Sequence, residues 1–354
     1  MAGRMAVGLD IGTSGVRAAE LSRGRGGFTL ERFGQVALPA GAVVAGEVVD
    51  QPAVAAAIKR LWKDAGFSTK RVALGVANQR VVVRQVDLLW MEPAELRKAL
   101  AFQVQDYIPI PVEEAVLDFH AIEELVNDDG TRMIRVLLVA AARDMVTSSL
   151  EAAKRAGLDV VSVDLTSFAL IRAAVAPDDV NLDSQATAIV DVGARVTNIV
   201  VQQNGVPRFV RILLMGGADL TDAVAERLGV PPEEAEVVKQ QFWATADQGQ
   251  RDAHPAARAL DASTRAFVDE VRGSLDYYRA SPGAVPIRRM LLSGGASKPG
   301  DLAARLATAT RLPVDAADPL GRLAIGKTGL SSEQLSQIES LAAVSVGLAL
   351  GAAS

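Results

Sequence analysis

At 354 residues the chain is long enough for two or more hydrophobic cores, and its 49% hydrophobic content excludes a mainly disordered protein. A formal net charge of −5 leaves no electrostatic footprint for nucleic acid or an acidic membrane, so no nucleic-acid partner is expected. The lack of cysteine removes disulfides, thiolate nucleophiles and Cys-based metal sites, and the two histidines, His120 and His254, stand too far apart for a local zinc motif.

The first residues reach Asp10 after too few apolar positions for a signal-peptide core. Met5-Ala6-Val7-Gly8-Leu9 reads as a strand, Asp10-Ile11-Gly12-Thr13-Ser14-Gly15 as a tight small-residue turn, and Val16-Arg17-Ala18-Ala19 as a second strand. Arg23-Gly24-Arg25-Gly26-Gly27 is a hairpin tip leading to a third strand at 28–36. Val54, Ile58, Leu61 and Trp62 keep helical spacing, closed by Gly66. Strands at 72–76 and 81–88 follow. Pro93 then opens a helix with Glu92 and Glu95 in its first turn and Leu96, Leu100 and Val104 as its buried stripe, stopped before Pro109. A hairpin turns at Asn127-Asp128-Asp129-Gly130, and Asp144 is the expected cap of a helix running to Gly157.

The second half restarts with a strand ending in Ala188-Ile189-Val190, the turn Asp191-Val192-Gly193, and strands at 198–202 and 208–214. Gly216-Gly217 starts a helix ending at Leu228-Gly229, and Pro231-Pro232-Glu233-Glu234 begins another. Residues 244–262 are polar and small, with Gln248-Gly249-Gln250 and His254-Pro255, and read as a mobile loop before a helix at 263–279. A strand at 287–293 ends in Gly294-Gly295-Ala296-Ser297; a helix, a strand at 313–316, a loop and a C-terminal helix complete the chain. The late apolar run 341–353 is too short and too rich in small residues to span a bilayer. The two halves repeat one strand–turn–strand–strand–helix plan.

Two Asp–Gly turns at equivalent places in a duplicated chain suit a phosphate chain held between them, with backbone N–H groups facing the oxygens and one carboxylate per turn, Asp10 and Asp191, for a metal. A competing pattern is Gly321-Arg322-Leu323-Ala324-Ile325-Gly326-Lys327-Thr328, which fits a Walker A loop. Its context is wrong. Asp318-Pro319-Leu320 precedes it in place of a buried strand, Gly329 follows directly, and too little chain remains for the rest of that fold.

Two halves, each opened by an Asp–Gly turn, with a strand ending in Gly294-Gly295 late in the second, resemble the actin, sugar kinase and heat-shock ATPase superfamily. The resemblance implies an α/β, actin-like, two-lobed fold built from duplicated ribonuclease-H-like halves. It implies ATP as ligand, with Gly12, Thr13, Ser14 and Gly15 as the first phosphate loop, Gly193 in the second, and Gly294, Gly295, Ala296 and Ser297 against adenosine. Gly216 and Gly217 would meet phosphate or ribose through the backbone. Glu236 and Lys239 resemble a pair that brackets ribose and adenine, although one helical turn apart they also read as an exposed ion pair. Asp10 and Asp191 would contact Mg²⁺ through water. Arg17 stands where relatives place a phosphate-binding lysine, and could equally point to solvent. Asp164 stands near a water-orienting position, and could equally cap the helix through Arg172. Slow ATP hydrolysis and binding without hydrolysis both fit this sequence.

Within that superfamily, Asp10 to Arg17, Gln103-Val104-Gln105-Asp106-Tyr107-Ile108-Pro109 and the closing Ala342-Ala343-Val344-Ser345-Val346-Gly347 look like the PilM family of type IV pilus assembly. An inserted 1C-type subdomain at 81–157 would then interrupt subdomain 1A (1–80 and 158–185). Subdomain 2A (186–215 and 287–342) would enclose 2B (216–286), and 343–354 would return to 1A as a helix. This resemblance implies a cytoplasmic protein at the inner face of the cytoplasmic membrane. It would bind the N-terminal tail of a PilN-like bitopic membrane protein in a groove between 1A and 1C, with Leu96, Leu100, Val104, Tyr107 and Val83 as candidate lining. Other inner-membrane pilus components are implied partners, a homo-oligomer is left open, and direct membrane insertion is not expected. The alternatives are an FtsA-like division protein, which needs a C-terminal amphipathic membrane helix, and a sugar kinase, which needs a catalytic-base Asp beside a sugar cleft.

Overall fold

The computed structural model describes residues 5–175, 185–245, 249, 253–297 and 301–353. In the first lobe β1 (Met5–Ile11), β2 (Gly15–Gly24) and β3 (Gly27–Ala37) form an antiparallel meander. After a small hairpin of β4 (Val43–Val44) and β5 (Glu47–Val48) comes α1 (Gln51–Ala65), and β6 (Arg71–Val76) then lies parallel to β1. The side chain of Asp50 accepts the Ala53 N–H at 2.9 Å, and Gly66 ends the helix in the left-handed region at φ 65°.

The chain then builds a separate three-stranded antiparallel sheet from β7 (Val81–Leu89), β8 (Ala115–Val126) and β9 (Arg132–Ala142), with α2 (Pro93–Gln103) packed on it. It returns through α3 (Arg143–Arg155) to β10 (Asp159–Leu165), parallel to β6, and α4 (Thr166–Ala174). Asp144 is not the cap of α3. It sits within the first turn, and its carboxylate takes two hydrogen bonds from Arg80, at 2.6 and 2.8 Å.

The second lobe repeats the first. β11 (Ala186–Val192), β12 (Thr197–Gln203) and β13 (Val206–Leu213) form a meander; β14 (Ile287–Ser293) and β15 (Val314–Ala316) add in parallel, giving the order β13-β12-β11-β14-β15. The first sheet has the same plan, β3-β2-β1-β6-β10, with one extra edge strand, β16 (Ala324–Ile325), beside β3. The Walker-like residues supply that edge strand, and no helix begins at Lys327.

α5 (Gly217–Leu228) and α6 (Pro232–Ala244) pack together, joined by the long helix Ala257–Arg279. That helix starts six residues earlier than its composition suggested. Leu260, Thr264 and Phe267 are buried along its inner face, and His254 Nδ1 accepts the Ala256 N–H at 3.1 Å just before it. Gln248 and Gln250 of the expected loop lie outside the described residues.

The C-terminal helix, Ser332–Ala353, exceeds the apolar run read from sequence and is long and apolar enough to cross a membrane. Its second half is instead core. A Cβ on Gly8 of β1 would lie 2.0 Å from the Ser345 carbonyl oxygen, and one on Gly347 would lie 1.9 Å from that of Ala169. Small residues let the helix lie against β1 on one side and α4 on the other, where Ala343, Val346 and Leu348 are buried.

Candidate functional site: the interlobe cleft

The two Asp–Gly turns open into one cleft of about 1160 Å³ between the lobes. Each turn closes in the same way: Gly12 N–H donates to the Gly15 carbonyl at 3.0 Å, and Gly193 N–H to the Val196 carbonyl at 3.0 Å. The duplication extends across the strands. Asp10 pairs in register with Arg17, and Asp191 with Asn198. Cross-strand partners share a sheet face, so all four line the cleft.

Asp191 is buried, and its carboxyl pKa is pushed up to about 6, chiefly by burial and then by the charge of Asp10; hydrogen bonds with Ser293 and Asn198 oppose the rise. Burial also raises the carboxyl of Asp10, against the pull of Arg17. Among the described residues no cluster of three metal-ligating side chains occurs, so a cation here would be completed by water and phosphate oxygens.

Arg17 turns into the cleft rather than to solvent. Its ion pair with Asp10 is long, 3.7 Å, its Nη2 lies 3.4 Å from Ser14 Oγ, and its buried Nε has no partner. A guanidinium held this loosely has donors left for an anion. The Asn198 Oδ1 is likewise buried without a partner. Sequence reasoning missed Asn198, yet it stands at the same offset from Asp191 as Arg17 does from Asp10. It also missed Thr166, the first residue of α4, which lines the cleft.

Asp164 is not among the lining residues. Its carboxylate accepts the Leu165 N–H at 2.8 Å and is engaged by the Arg172 guanidinium, so it neither faces the cleft nor caps α4 through N2 or N3. It serves to anchor α4, since Arg172 also donates to the Gly347 carbonyl at 2.9 Å.

Gly217 lines the cleft, and both Gly216 and Gly217 have a structural use as well. Gly217 N–H donates to the Gly193 carbonyl at 2.9 Å and Gly216 N–H to Asp219 Oδ2 at 2.7 Å, so neither amide is left for a phosphate. A Cβ on Gly216 would sit 2.3 Å from the Gly193 oxygen. These glycines dock the second turn onto α5, and Arg195 reinforces the contact by pairing with Asp219 and Asp222.

The Glu236–Lys239 pair is neither an exposed ion pair nor a free bracket. Lys239 is buried and donates to Glu236 at 2.6 Å, the Gly217 carbonyl at 2.8 Å and Thr221 Oγ1 at 2.7 Å. Only Glu236 keeps an open side, and although burial pushes its carboxyl up, hydrogen bonds from Lys239 and Thr221 hold it below its ordinary value.

The second glycine loop closes the far wall. Gly294 adopts φ 90°, where a Cβ would lie 2.3 Å from the Val192 oxygen, and its N–H donates to the Ser340 carbonyl of the C-terminal helix at 2.9 Å. Ser297 Oγ donates to the Gly294 carbonyl at 2.7 Å. Beside the loop is a small, mainly apolar recess lined by Gly217, Leu220, Trp243, Phe267 and Ala296.

The candidate partner residues divide. Leu96, Leu100 and Val104 are buried within the inserted subdomain's own core, where they pack with residues of β7, β8 and β9. Tyr107 is exposed and Val83 half-buried, while Phe102 on the opposite face of α2 is 90% exposed.

The model of the family described as type IV pilus assembly protein PilM matches residues 8–353. The chain is similar to a solved "PilM-PilN type IV pilus biogenesis complex", with TM-score 0.85 and 28% identity, covering 99% of this chain and 98% of that one. It shares its fold with MreB5 of Spiroplasma citri bound to ADP, at TM-score 0.53 and 13% identity over 97% of this chain and 94% of that one. Cell division protein FtsA of Bacillus subtilis is 24% identical over 67% of this chain and 57% of its own length, so the match spans less than two thirds of that curated relative. The fold is therefore actin-like and two-lobed, with the inserted sheet as a 1C-type subdomain. The chain belongs to the PilM family of type IV pilus assembly proteins.

Proposed function

We propose that this chain is an ATP-binding component of the type IV pilus machinery that takes the N-terminal tail of a PilN-like inner-membrane protein, with nucleotide acting as its conformational switch. The observation that carries the nucleotide is the duplicated register row, Asp10–Arg17 and Asp191–Asn198, lining one cleft. Two buried acidic side chains, with only the long Arg17 ion pair beside them and next to the unpartnered Asn198 Oδ1, fit a hydrated Mg²⁺. When bound, that ion would neutralise phosphate charge. Asp10 and Asp191 would hold it through its water, and Arg17 would meet phosphate oxygen with its free donors.

Asp164 is engaged by Arg172, which argues against a water-orienting part for it, and we read the nucleotide as a switch with slow turnover or none. The partner assignment rests on the similarity to the PilM–PilN complex over nearly the whole chain. On this reading the protein works in the cytoplasm at the inner membrane face, held there by its partner, and the tail would dock between the inserted subdomain and the first lobe near Val83 and Tyr107. Its tail would order on docking, with apolar anchors supplying the affinity.

Calorimetric titration tests both halves on the full chain. Mg-ATP should bind the wild type, Asp10→Ala and Asp191→Ala should lose at least about tenfold in affinity, and Lys327→Ala should bind normally. A synthetic peptide of the PilN-like tail should bind saturably. The nucleotide assignment fails if both Asp variants bind as the wild type does; the partner assignment fails if the peptide does not bind at high concentration.

A further inference from the structure

The row that begins at Asp191 does not stop at Asn198. In the register of the second sheet, Asn198 of β12 pairs with Asp191 on one side and with Ile212 of β13 on the other. Residues in one register row share a sheet face, so the three side chains form a continuous line across the three strands. One end of the line is a cleft carboxylate. The other end leaves the second lobe.

β13 is the edge strand of the second sheet, and β7 is the edge strand of the inserted sheet. The two edges run close together and, among the described residues, share no ladder hydrogen bonds; β13 also meets α4. Ile212 packs against an apolar cluster that belongs to the first lobe and the inserted subdomain: Val76, Val81, Met145 and Leu165 are among its buried members, and Val83 and Phe168 pack against it as Ile212 does. Val83 also packs against the large core cluster that the two lobes share. A half-buried side chain of the second lobe thereby packs against the junction of the first lobe and the inserted subdomain.

We propose that the row Asp191–Asn198–Ile212 couples the cleft to the inserted subdomain, with Ile212 as the positioning residue through which cleft occupancy changes affinity for the partner tail. This rests on the function proposed above. A ligand that engages the second turn and draws Asn198 toward it shifts β12, and β13 moves with its ladder partner. Ile212 is then either seated against Val81, Val83 and Phe168 or withdrawn from them. A packed apolar contact has discrete arrangements rather than a continuous range, which gives the device two states. The unpartnered Asn198 Oδ1 is what a ligand can engage, and separate ladders at β7 and β13 are what let the edges slide.

The test is a thermodynamic cycle on the full chain, with the Kd of the PilN-like tail peptide measured with and without saturating Mg-ATP. Each ligand is also titrated alone. In the wild type Mg-ATP should change peptide affinity by about fivefold or more, and the peptide should change Mg-ATP affinity by the same factor. Ile212→Ala should bring that factor below about twofold while each ligand alone binds within about threefold of the wild type. Phe168→Leu, acting from the other side of the contact, should reduce the coupling too, and Ile212→Val, which keeps most of the side chain, should retain it.

Coupling that persists in Ile212→Ala overturns the proposal, as does a wild type that binds both ligands with no coupling; in either case the proposed function stands. If either ligand alone fails to bind the wild type, the proposed function falls and the coupling falls with it.

Discussion

Asp10 and Asp191 stand at the ends of corresponding strands in the two lobes, and the charge of Asp10 adds to burial in lifting the pKa of Asp191 to about 6. A carboxyl with an ordinary value near 3.8 that is raised in the folded state holds its proton more tightly there than in the unfolded chain. The group therefore costs nothing below about pH 3.8, costs progressively more up to about 6, and exerts its full cost above that. A shift of this size corresponds to about 3 kcal/mol. Without metal or nucleotide, Asp191→Asn should be more stable than the wild type at pH 7.5, and the difference should shrink steadily as pH falls from 6 to 4.5. Urea unfolding of both proteins across that range checks it, and an unchanging difference would show that the carboxyl is not strained.

Arg17 has donors to spare, so its removal should be felt by the ligand more than by the fold. We expect Arg17→Ala to weaken Mg-ATP binding by about tenfold to a hundredfold, the worth of a charge-assisted hydrogen bond or two, with a smaller loss for Arg17→Lys. Calorimetry with ATP and with adenosine should separate the two effects, because adenosine affinity should not move.

Lys239 ties α6 to the first turn of α5 through Gly217 and Thr221. Its replacement by Ala should destabilise the ligand-free protein by about 1–3 kcal/mol, since it leaves buried acceptors unpaired. Thermal unfolding without nucleotide is the discriminating measurement. A lysine whose main task is ribose contact would leave that transition unchanged.

Two helical glycines should respond with opposite signs. Gly347→Ala drives a methyl into the Ala169 carbonyl, a backbone group that cannot turn aside, and should cost about 2 kcal/mol or more. A Cβ on Gly273, inside the helix Ala257–Arg279, would meet nothing within 4 Å, so Gly273→Ala should stabilise by about 0.5–1 kcal/mol. Denaturant midpoints for the pair give both signs in one experiment.

Much of the fold was legible because it is written in local chemistry. The period-2 runs ending at Asp10 and Asp191, the helix stop at Gly66 and the Pro93 start are read from a few neighbouring residues, and the sheets place them as expected. The site was legible where the duplication repeats a motif. It failed where a residue's task depends on a distant partner. Asp164 and Asp144 looked like helix caps because each stands beside a helix start, but Arg172 and Arg80 claim their carboxylates. Leu96, Leu100 and Val104 were rightly given as the buried stripe of α2, and for that reason could not also face a partner.

The sequence by itself determined the duplicated plan and the two Asp–Gly turns, because strand period and turn-forming residues act over a handful of positions. Only the tertiary structure decided that Asp10 and Asp191 share a cleft, that Lys239 is consumed by α5, and that the row through Asn198 ends at Ile212 against the inserted subdomain and the first lobe. Those relations depend on burial and on register between strands far apart in the chain. A carboxylate's pKa, or a glycine's need to lack a side chain, is set by atoms that no local pattern can name.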